Sequence, residues 1–122
     1  MTDPDLLVLY VADVPASLAF WTALLDRPAV EVHETFALLP LRDGVMLGLW
    51  RVDDVGPAAT RTGGGAEIIF QVASRDDVDR LFVEWAARDR TILQHPTDVE
   101  FGRTFTAADP DGHRLRVLWP TE

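Results

Sequence analysis

The chain has 122 residues, of which 48% are hydrophobic, and this length suits one compact domain. Its 11 basic and 20 acidic residues give a net charge of −9, which repels nucleic-acid phosphates and anionic lipid surfaces. Without cysteine there is no disulfide or thiolate chemistry, the longest apolar runs are strand-sized, and the start lacks a secretory pattern. We therefore expect a cytoplasmic protein with no nucleic-acid or membrane partner.

The first half of the chain predicts the order strand, helix, strand, strand, strand. Leu6–Ala12 has the apolar pattern of a strand, Asp13 can cap a helix, and Pro15 suits its first turn. The helix should end near Asp26, before a proline. The strand candidates that follow, the last two joined by an Arg-Asp-Gly turn, are Val30–His33, Phe36–Leu41 and Val45–Arg51.

The second half repeats this order after residues 52–65, a segment rich in glycine and proline that predicts a linker. Ser74 follows the strand Ala66–Val72 and can form a capping box with Asp77, so a helix should run to about Ala87. The strands expected after it lie near Thr91–Gln94, Arg103–Ala107 and His113–Trp119, the last two separated by a type I turn at residues 109–112.

The two halves look like copies of one unit, displaced by about 61 positions. Val8-Leu9-Tyr10 aligns with Ile69-Phe70-Gln71, and Trp21 on the first helix aligns with Phe82 on the second. Trp21 and Trp85 both recur with other apolar residues at helical spacing, which favours a place in the core. The chain should be a single domain of two βαβββ modules, about 1–51 and 66–122.

Two segments carry a family resemblance, one at each end of the chain. Tyr10-Val11-Ala12-Asp13-Val14-Pro15-Ala16-Ser17-Leu18-Ala19-Phe20-Trp21 and Phe105-Thr106-Ala107-Ala108-Asp109-Pro110-Asp111-Gly112-His113-Arg114-Leu115-Arg116 resemble the opening and closing motifs of the vicinal oxygen chelate superfamily. That superfamily contains glyoxalase I, extradiol dioxygenases and bleomycin resistance proteins. The resemblance implies an α+β fold in which two βαβββ modules form curved mixed sheets around a cup. It also implies a homodimer, and a metal or an organic ligand in the cup.

The metal positions of the family fall on residues that are mostly unsuited to a metal. They correspond here to Leu6, Gly48, Glu67 and Arg116, of which only Glu67 has a donor that binds cations. Arg116 would place a permanent positive charge where a divalent ion must sit. The histidines, which lie outside the family's ligand positions, are His33, His95 and His113. We therefore expect neither a metal nor another cofactor.

The expected cup is apolar and aromatic. Because side chains alternate along a strand, Tyr10 should share a face with Leu6, and Met46 and Trp50 should share a face with Gly48. A planar ligand would stack on Trp50 beside a gap at Gly48. The predicted ligand-binding residues, with no catalytic residue among them, are Tyr10, Phe36, Met46, Gly48, Trp50, Glu67, Phe101, Arg103, Phe105 and Arg116.

Several of these residues have a second interpretation. Glu67 and Arg116 can form an ion pair that cross-links two strands in place of the family's metal, instead of binding a ligand. Trp50 can belong to the core or to a dimer interface. Arg103 is a candidate for an anionic group on a ligand, and the alternative is an ordinary surface arginine.

The function that these features favour is metal-free sequestration of a small planar aromatic or amphipathic compound by a homodimer, as in the bleomycin-resistance branch. Alternatives are a metal-dependent lyase, isomerase or dioxygenase, a metal-free enzyme with Glu67 as general base, and an interaction module without a pocket. The missing ligand donors favour a binding protein over an enzyme. The identity of the ligand is left open.

Overall fold

The protein contains two mixed four-stranded sheets and two helices, an α+β architecture, in a computed structural model that describes residues 3–121. Contacts divide the chain into two compact units, Met1–Gly63 and Gly64–Glu122. Each unit has the predicted order of one strand, one helix and three strands. Within the described residues, neither helix is long and apolar enough to cross a membrane.

The first unit is a sheet in the order β1-β4-β3-β2, in which β1 runs parallel to β4 and the other neighbours are antiparallel. A short 3-10 turn, Val52–Asp54, follows the sheet and occupies the start of the predicted linker. The elements are β1 Leu6–Val11, α1 Val14–Leu25, β2 Glu31–Val32, β3 Phe36–Pro40 and β4 Met46–Arg51.

Helix α1 begins where the sequence predicts. The side chain of Asp13 accepts a hydrogen bond of 3.1 Å from the Ala16 N–H, which satisfies one of the donors left free at a helix start. Trp21 is fully buried, as predicted, and so are the alternate residues Leu47 and Leu49 on β4. The helix therefore covers one face of the sheet.

The second unit repeats the first in topology, with sheet order β5-β8-β7-β6 and β5 parallel to β8. The Ser74 hydroxyl caps α2 by accepting from the Asp77 N–H at 3.2 Å, as the sequence predicts. The shared topology confirms the internal duplication. The elements are β5 Glu67–Gln71, α2 Arg75–Ala87, β6 Thr91–Val99, β7 Gly102–Ala108 and β8 Arg114–Pro120.

Aromatic rings fill the space between α2 and its sheet. Trp85 of the helix lies edge-on to Phe70 and to Phe105, with ring centroids 5.8 Å and 5.2 Å away. Phe82 makes a similar contact with Phe105 at 5.6 Å. These edge-to-face contacts place Phe70 and Phe105 on the helix-covered face of the sheet.

Strand β6 is longer than the sequence predicts, since it continues from Thr91 through Val99 and turns at Glu100-Phe101 into β7. Pro96 interrupts the alternation, and two register shifts, between Ile92 and Gln94 and between Gln94 and Thr97, interrupt it further. Proline is tolerated because β6 is an edge strand. Because the bulges and the proline break the alternation of apolar and polar residues, the sequence pattern predicts only the first part of this strand.

Candidate functional site

In the first unit the sheet face turned away from α1 is largely apolar, and we call it the helix-free face of unit 1. The strand pairing shows which residues share this face. Val8 lies opposite Gly48, and Tyr10 and Phe36 lie on either side of Trp50. Strand pairing therefore places Tyr10, Met46, Gly48 and Trp50 on one face of the sheet, and their contact with a ligand stays a prediction. The residues of this face are Leu6, Val8, Tyr10, Phe36, Leu38, Pro40, Met46, Gly48 and Trp50, with the charged Glu31 on the edge strand β2.

An aromatic pair lies at one end of this face. The rings of Tyr10 and Trp50 are 6.4 Å apart with an angle of 77° between their planes. The Trp50 indole Nε1 donates a hydrogen bond of 3.1 Å to Oδ2 of Asp54. This hydrogen bond, and to a smaller extent a hydrogen bond with Thr35, holds the pKa of Asp54 below its usual value. The polar edge of the indole is thus anchored, while Tyr10 and Trp50 both remain half-buried.

The predicted gap at Gly48 is filled by the ring of Phe36. A Cβ atom at Gly48 would lie 2.9 Å from Cζ of Phe36 and 3.3 Å from Cγ2 of Val8. The phenyl ring thus lies against the strand at this glycine, and a Cβ atom here would displace the ring. The expectation of an open gap is wrong, because the sequence does not show that a side chain from the neighbouring strand reaches this position.

The corresponding face of the second unit is polar, and we call it the helix-free face of unit 2. Arg116 lies opposite Ile69 on one side and Thr106 on the other, and Gln94 lies opposite Thr106 on the edge strand. The residues of this face include Glu67, Ile69, Gln71, Gln94, Thr97, Thr104, Thr106, Ala108, Arg114, Arg116 and Leu118.

Glu67 and Arg116 form a bidentate ion pair on this face. Arg116 Nε donates to Glu67 Oε1 at 2.7 Å, and Nη2 donates to Oε2 at 3.3 Å. The hydrogen bonds from Arg116 hold the pKa of Glu67 below its usual value, although burial acts in the opposite direction. The structure therefore shows Glu67 and Arg116 paired with each other, which is the second of the two interpretations given for them.

The family's metal positions do not fit a divalent cation in this chain. Both oxygens of Glu67 are engaged by a guanidinium group, which has no atom that can accept or ligate. Leu6 and Gly48 contribute no donor side chain. Over residues 3–121, no three or more His, Cys, Asp or Glu side chains are grouped so that they could hold a metal ion.

Two predicted site residues, Arg103 and Phe105, lie on the opposite face of the sheet, against α2. Phe105 is fully buried beneath Trp85, and Arg103 donates to Asp79 of the helix at 2.9 Å and to Asp98 at 3.0 Å. Their placement in the cup is wrong, because the pleat of β7 directs the odd-numbered side chains toward the helix. The guanidinium group of Arg103 already donates to Asp79 and Asp98, so it is not free to bind an anionic group of a ligand.

Phe101 lies at the tip of the β6–β7 hairpin and is 54% exposed. The hairpin tip is fixed to the end of the chain, since the Thr121 N–H donates to the Phe101 carbonyl at 2.9 Å. A contact between this phenyl ring and a ligand remains a prediction.

The ion-pair cluster beside Arg103 gives a prediction about pH. Hydrogen bonds from Arg75 and Arg103 lower the pKa of Asp98 to about 2. Since this pKa is lower in the folded protein than in the unfolded one, the stabilisation is complete above pH 3.8 and is lost as the pH falls toward 2. Asp98→Asn should therefore lower the melting temperature at pH 6 but have little effect near pH 2. An equal effect at both pH values, measured by circular dichroism, would contradict this linkage.

Gln94 belongs to the hydrogen-bond network of Arg116, although it is not among the residues predicted from the sequence. It bonds to Thr106 and Arg116 at the centre of the helix-free face of unit 2. Counted from Ile92, which lies opposite Ala107, regular alternation would direct Gln94 toward α2. The bulge between these residues reverses its direction, and no local pattern in the sequence marks that bulge.

Comparisons with known proteins agree with this architecture. A family model described as the Glyoxalase/Bleomycin resistance protein/Dioxygenase superfamily matches residues 4–117. The phenazine antibiotic resistance protein EhpR of Enterobacter agglomerans is 29% identical over 117 residues, which cover 93% of this chain and 89% of that protein.

Two solved structures have similar folds. The solution structure of protein ATC0852 from Agrobacterium tumefaciens is 48% identical, with a TM-score of 0.91 and full coverage of both chains. A glyoxalase/bleomycin resistance protein/dioxygenase from Nocardioides is 21% identical, with a TM-score of 0.85, over 100% of this chain and 85% of that one.

Proposed function

This chain belongs to the Glyoxalase/Bleomycin resistance protein/Dioxygenase superfamily, and we propose that it binds and sequesters a small planar aromatic compound without changing it chemically. The observation that carries the proposal is the Tyr10–Trp50 pair, in which the indole is held by Asp54 on an apolar sheet face. An anchored indole offers a stacking surface that loses little side-chain freedom when a flat ligand binds. The relative EhpR is named for resistance to phenazines, which are planar aromatic compounds.

Binding without turnover is supported by the chemistry of Glu67. A general base needs a pKa near the operating pH, whereas the ion pair with Arg116 shifts the pKa of Glu67 downward. Its two oxygens already accept hydrogen bonds from Arg116. The hypothesis of a metal-free enzyme that uses Glu67 as base is therefore disfavoured, and so is a metal-dependent enzyme built on these positions.

We also propose that the protein works as a homodimer. Strand β1 is an edge of its sheet, and its residues Leu6 and Leu7 are 45% and 44% exposed. Exposed apolar edge strands invite pairing with another chain unless they are covered. A second copy of this chain is the partner that the family resemblance implies, and native mass spectrometry of the purified protein gives the subunit count.

The test of ligand binding is a calorimetric titration with phenazine. We expect Trp50→Ala to weaken binding by about 1–3 kcal/mol, or roughly 5-fold to 150-fold in Kd, because the stacking surface is lost. Trp50→Phe, which retains a ring but loses the bond to Asp54, should weaken binding less. The matched control is Trp85→Phe, since Trp85 lies between α2 and its sheet and should leave the affinity unchanged.

Two outcomes would contradict the proposal. An affinity for phenazine that is the same in the wild type and in Trp50→Ala would remove Trp50 from the site. Mass spectrometry of the recovered ligand should show unaltered phenazine, so a product formed at catalytic turnover would replace sequestration with an enzymatic function.

A further inference from the structure

The carboxylate of Asp54 lies at the edge of the Trp50 indole, at the end of the first sheet where Tyr10 and Trp50 meet. Its Oδ2 atom accepts from the indole N–H at 3.1 Å, and the centroids of the two rings are 6.4 Å apart. All three residues belong to unit 1, and Asp54 is exposed while both rings are half-buried. A ligand stacked on the exposed part of the indole would therefore lie next to a negative charge.

Among residues 3–121, Asp54 forms no ion pair with a basic side chain. The hydrogen bonds that it accepts come from Trp50 and Thr35, which are both uncharged. Arg51 lies close by, but its guanidinium group bonds to Asp53 at 2.6 Å. Because the bonds from Trp50 and Thr35 lower the pKa of Asp54, its carboxylate is ionised at neutral pH.

The rest of the helix-free face of unit 1 brings no positive charge to this end of the sheet. The charged residue on that face, Glu31 of the edge strand β2, is acidic. In residues 1–63, nine residues are acidic and four are basic. A flat anion would thus be repelled by this unit, and a neutral ring would gain little from the charges around it.

A flat aromatic cation suits both the ring and the carboxylate. A positive charge over an aromatic ring is attracted by the negative face of the ring, and tryptophan gives the strongest interaction of this kind. The same charge would lie close to the carboxylate of Asp54, and opposite charges at short distance attract each other even when they are partly exposed. Both attractions act at the place where the proposed ligand stacks, so they add to the stacking energy.

We propose that Asp54 is a specificity-determining residue that makes the site prefer flat aromatic compounds with a positive charge on the ring system. The inference rests on the proposed function and narrows its ligand class from flat aromatic compounds to flat aromatic cations. Asp54 then has two roles, since it also anchors the indole on which the ligand stacks.

The test compares acridine with N-methylacridinium, which has the same three fused rings and a permanent positive charge. Calorimetric titration of the wild type at neutral pH, where acridine is uncharged, should show about 5-fold to 30-fold tighter binding of the cation. This preference should decrease as salt is added, because the carboxylate of Asp54 is exposed to the solvent.

The informative variant is Asp54→Asn, whose amide oxygen can still accept from the Trp50 indole but carries no charge. It should reduce the preference for the cation about 3-fold to 10-fold and leave the affinity for acridine unchanged. The matched control is Asp43→Asn, which changes the net charge equally in the turn before β4, at the other end of the sheet from Trp50. It should keep the preference of the wild type.

The inference is overturned if the wild type binds the two compounds equally, if the preference is undiminished in Asp54→Asn, if Asp43→Asn reduces it as much, or if neither compound binds. The proposed function is judged separately by the dependence of phenazine binding on Trp50. Phenazine binding that requires Trp50, without a preference for the cation, would therefore reject the role of Asp54 alone.

Discussion

Replacing Gly102 by alanine is expected to destabilise the protein by about 3–5 kcal/mol, because a close backbone contact and an unfavourable backbone angle act together. A Cβ atom at this position would lie 2.1 Å from the carbonyl oxygen of Trp119 and 3.0 Å from Cα of Pro120. Neither is the end of a flexible side chain that could move away. The φ angle of +151° is in addition one that residues with a Cβ rarely adopt.

The control is Gly112→Ala, in the turn before β8. Gly112 also has a positive φ, +84°, but nothing lies within 4 Å of an added Cβ atom. Gly112→Ala should lower the free energy of unfolding by only about 1 kcal/mol, because backbone strain is its only effect. Urea unfolding measures the free energy of unfolding of both variants. If the two variants lose the same amount of stability, the close contact between Gly102 and β8 does not contribute to the effect.

Arg116→Met should destabilise the protein by about 1–3 kcal/mol at neutral pH, between the values typical of exposed and of buried ion pairs. The side chains of Arg116 and Glu67 are 16% and 30% exposed, so the variant would leave the Glu67 carboxylate without its cation in a partly exposed position. The Oε1 atom of Gln94 and the hydroxyl of Thr104 would each lose a donor as well.

The double variant Glu67→Gln, Arg116→Met should regain part of this loss, because it removes the carboxylate along with the cation. The pKa of Glu67 is lower in the folded protein than its ordinary 4.5, so the stabilisation by the pair is present above that pH. It is lost as the pH falls through the folded value. A difference between wild type and Arg116→Met that is equally large near pH 7 and near pH 2 would contradict this account.

The elements that could be predicted are those whose signals are local. The side chains of Asp13 and Ser74 cap the two helices through bonds to residues three positions away, so the sequence contains the whole interaction. The alternation in β1 and β4 is uninterrupted, and the shared face of Tyr10 and Trp50 follows from it. The duplication is likewise visible because it compares segments of the same chain.

The candidate site could be predicted only in part, because its side chains depend on neighbouring strands. Bulges in β6 turn Gln94 onto the helix-free face, and the pleat of β7 takes Phe105 to the other side. A shift of one residue exchanges the two faces of a strand, so small departures from regular pairing have large consequences.

The order of elements, the two helix starts, the repeat and the shortage of metal donors at the family's ligand positions can all be predicted from the amino-acid sequence. These depend on residue types and on interactions over a few positions. The contacts of Phe36 with Gly48, of Arg116 with Glu67 and of Arg103 with Asp79 depend on the folded arrangement of the strands and helices. The partners in these contacts are 12, 49 and 24 residues apart, and only strand register and the packing of the helix bring such distant side chains together.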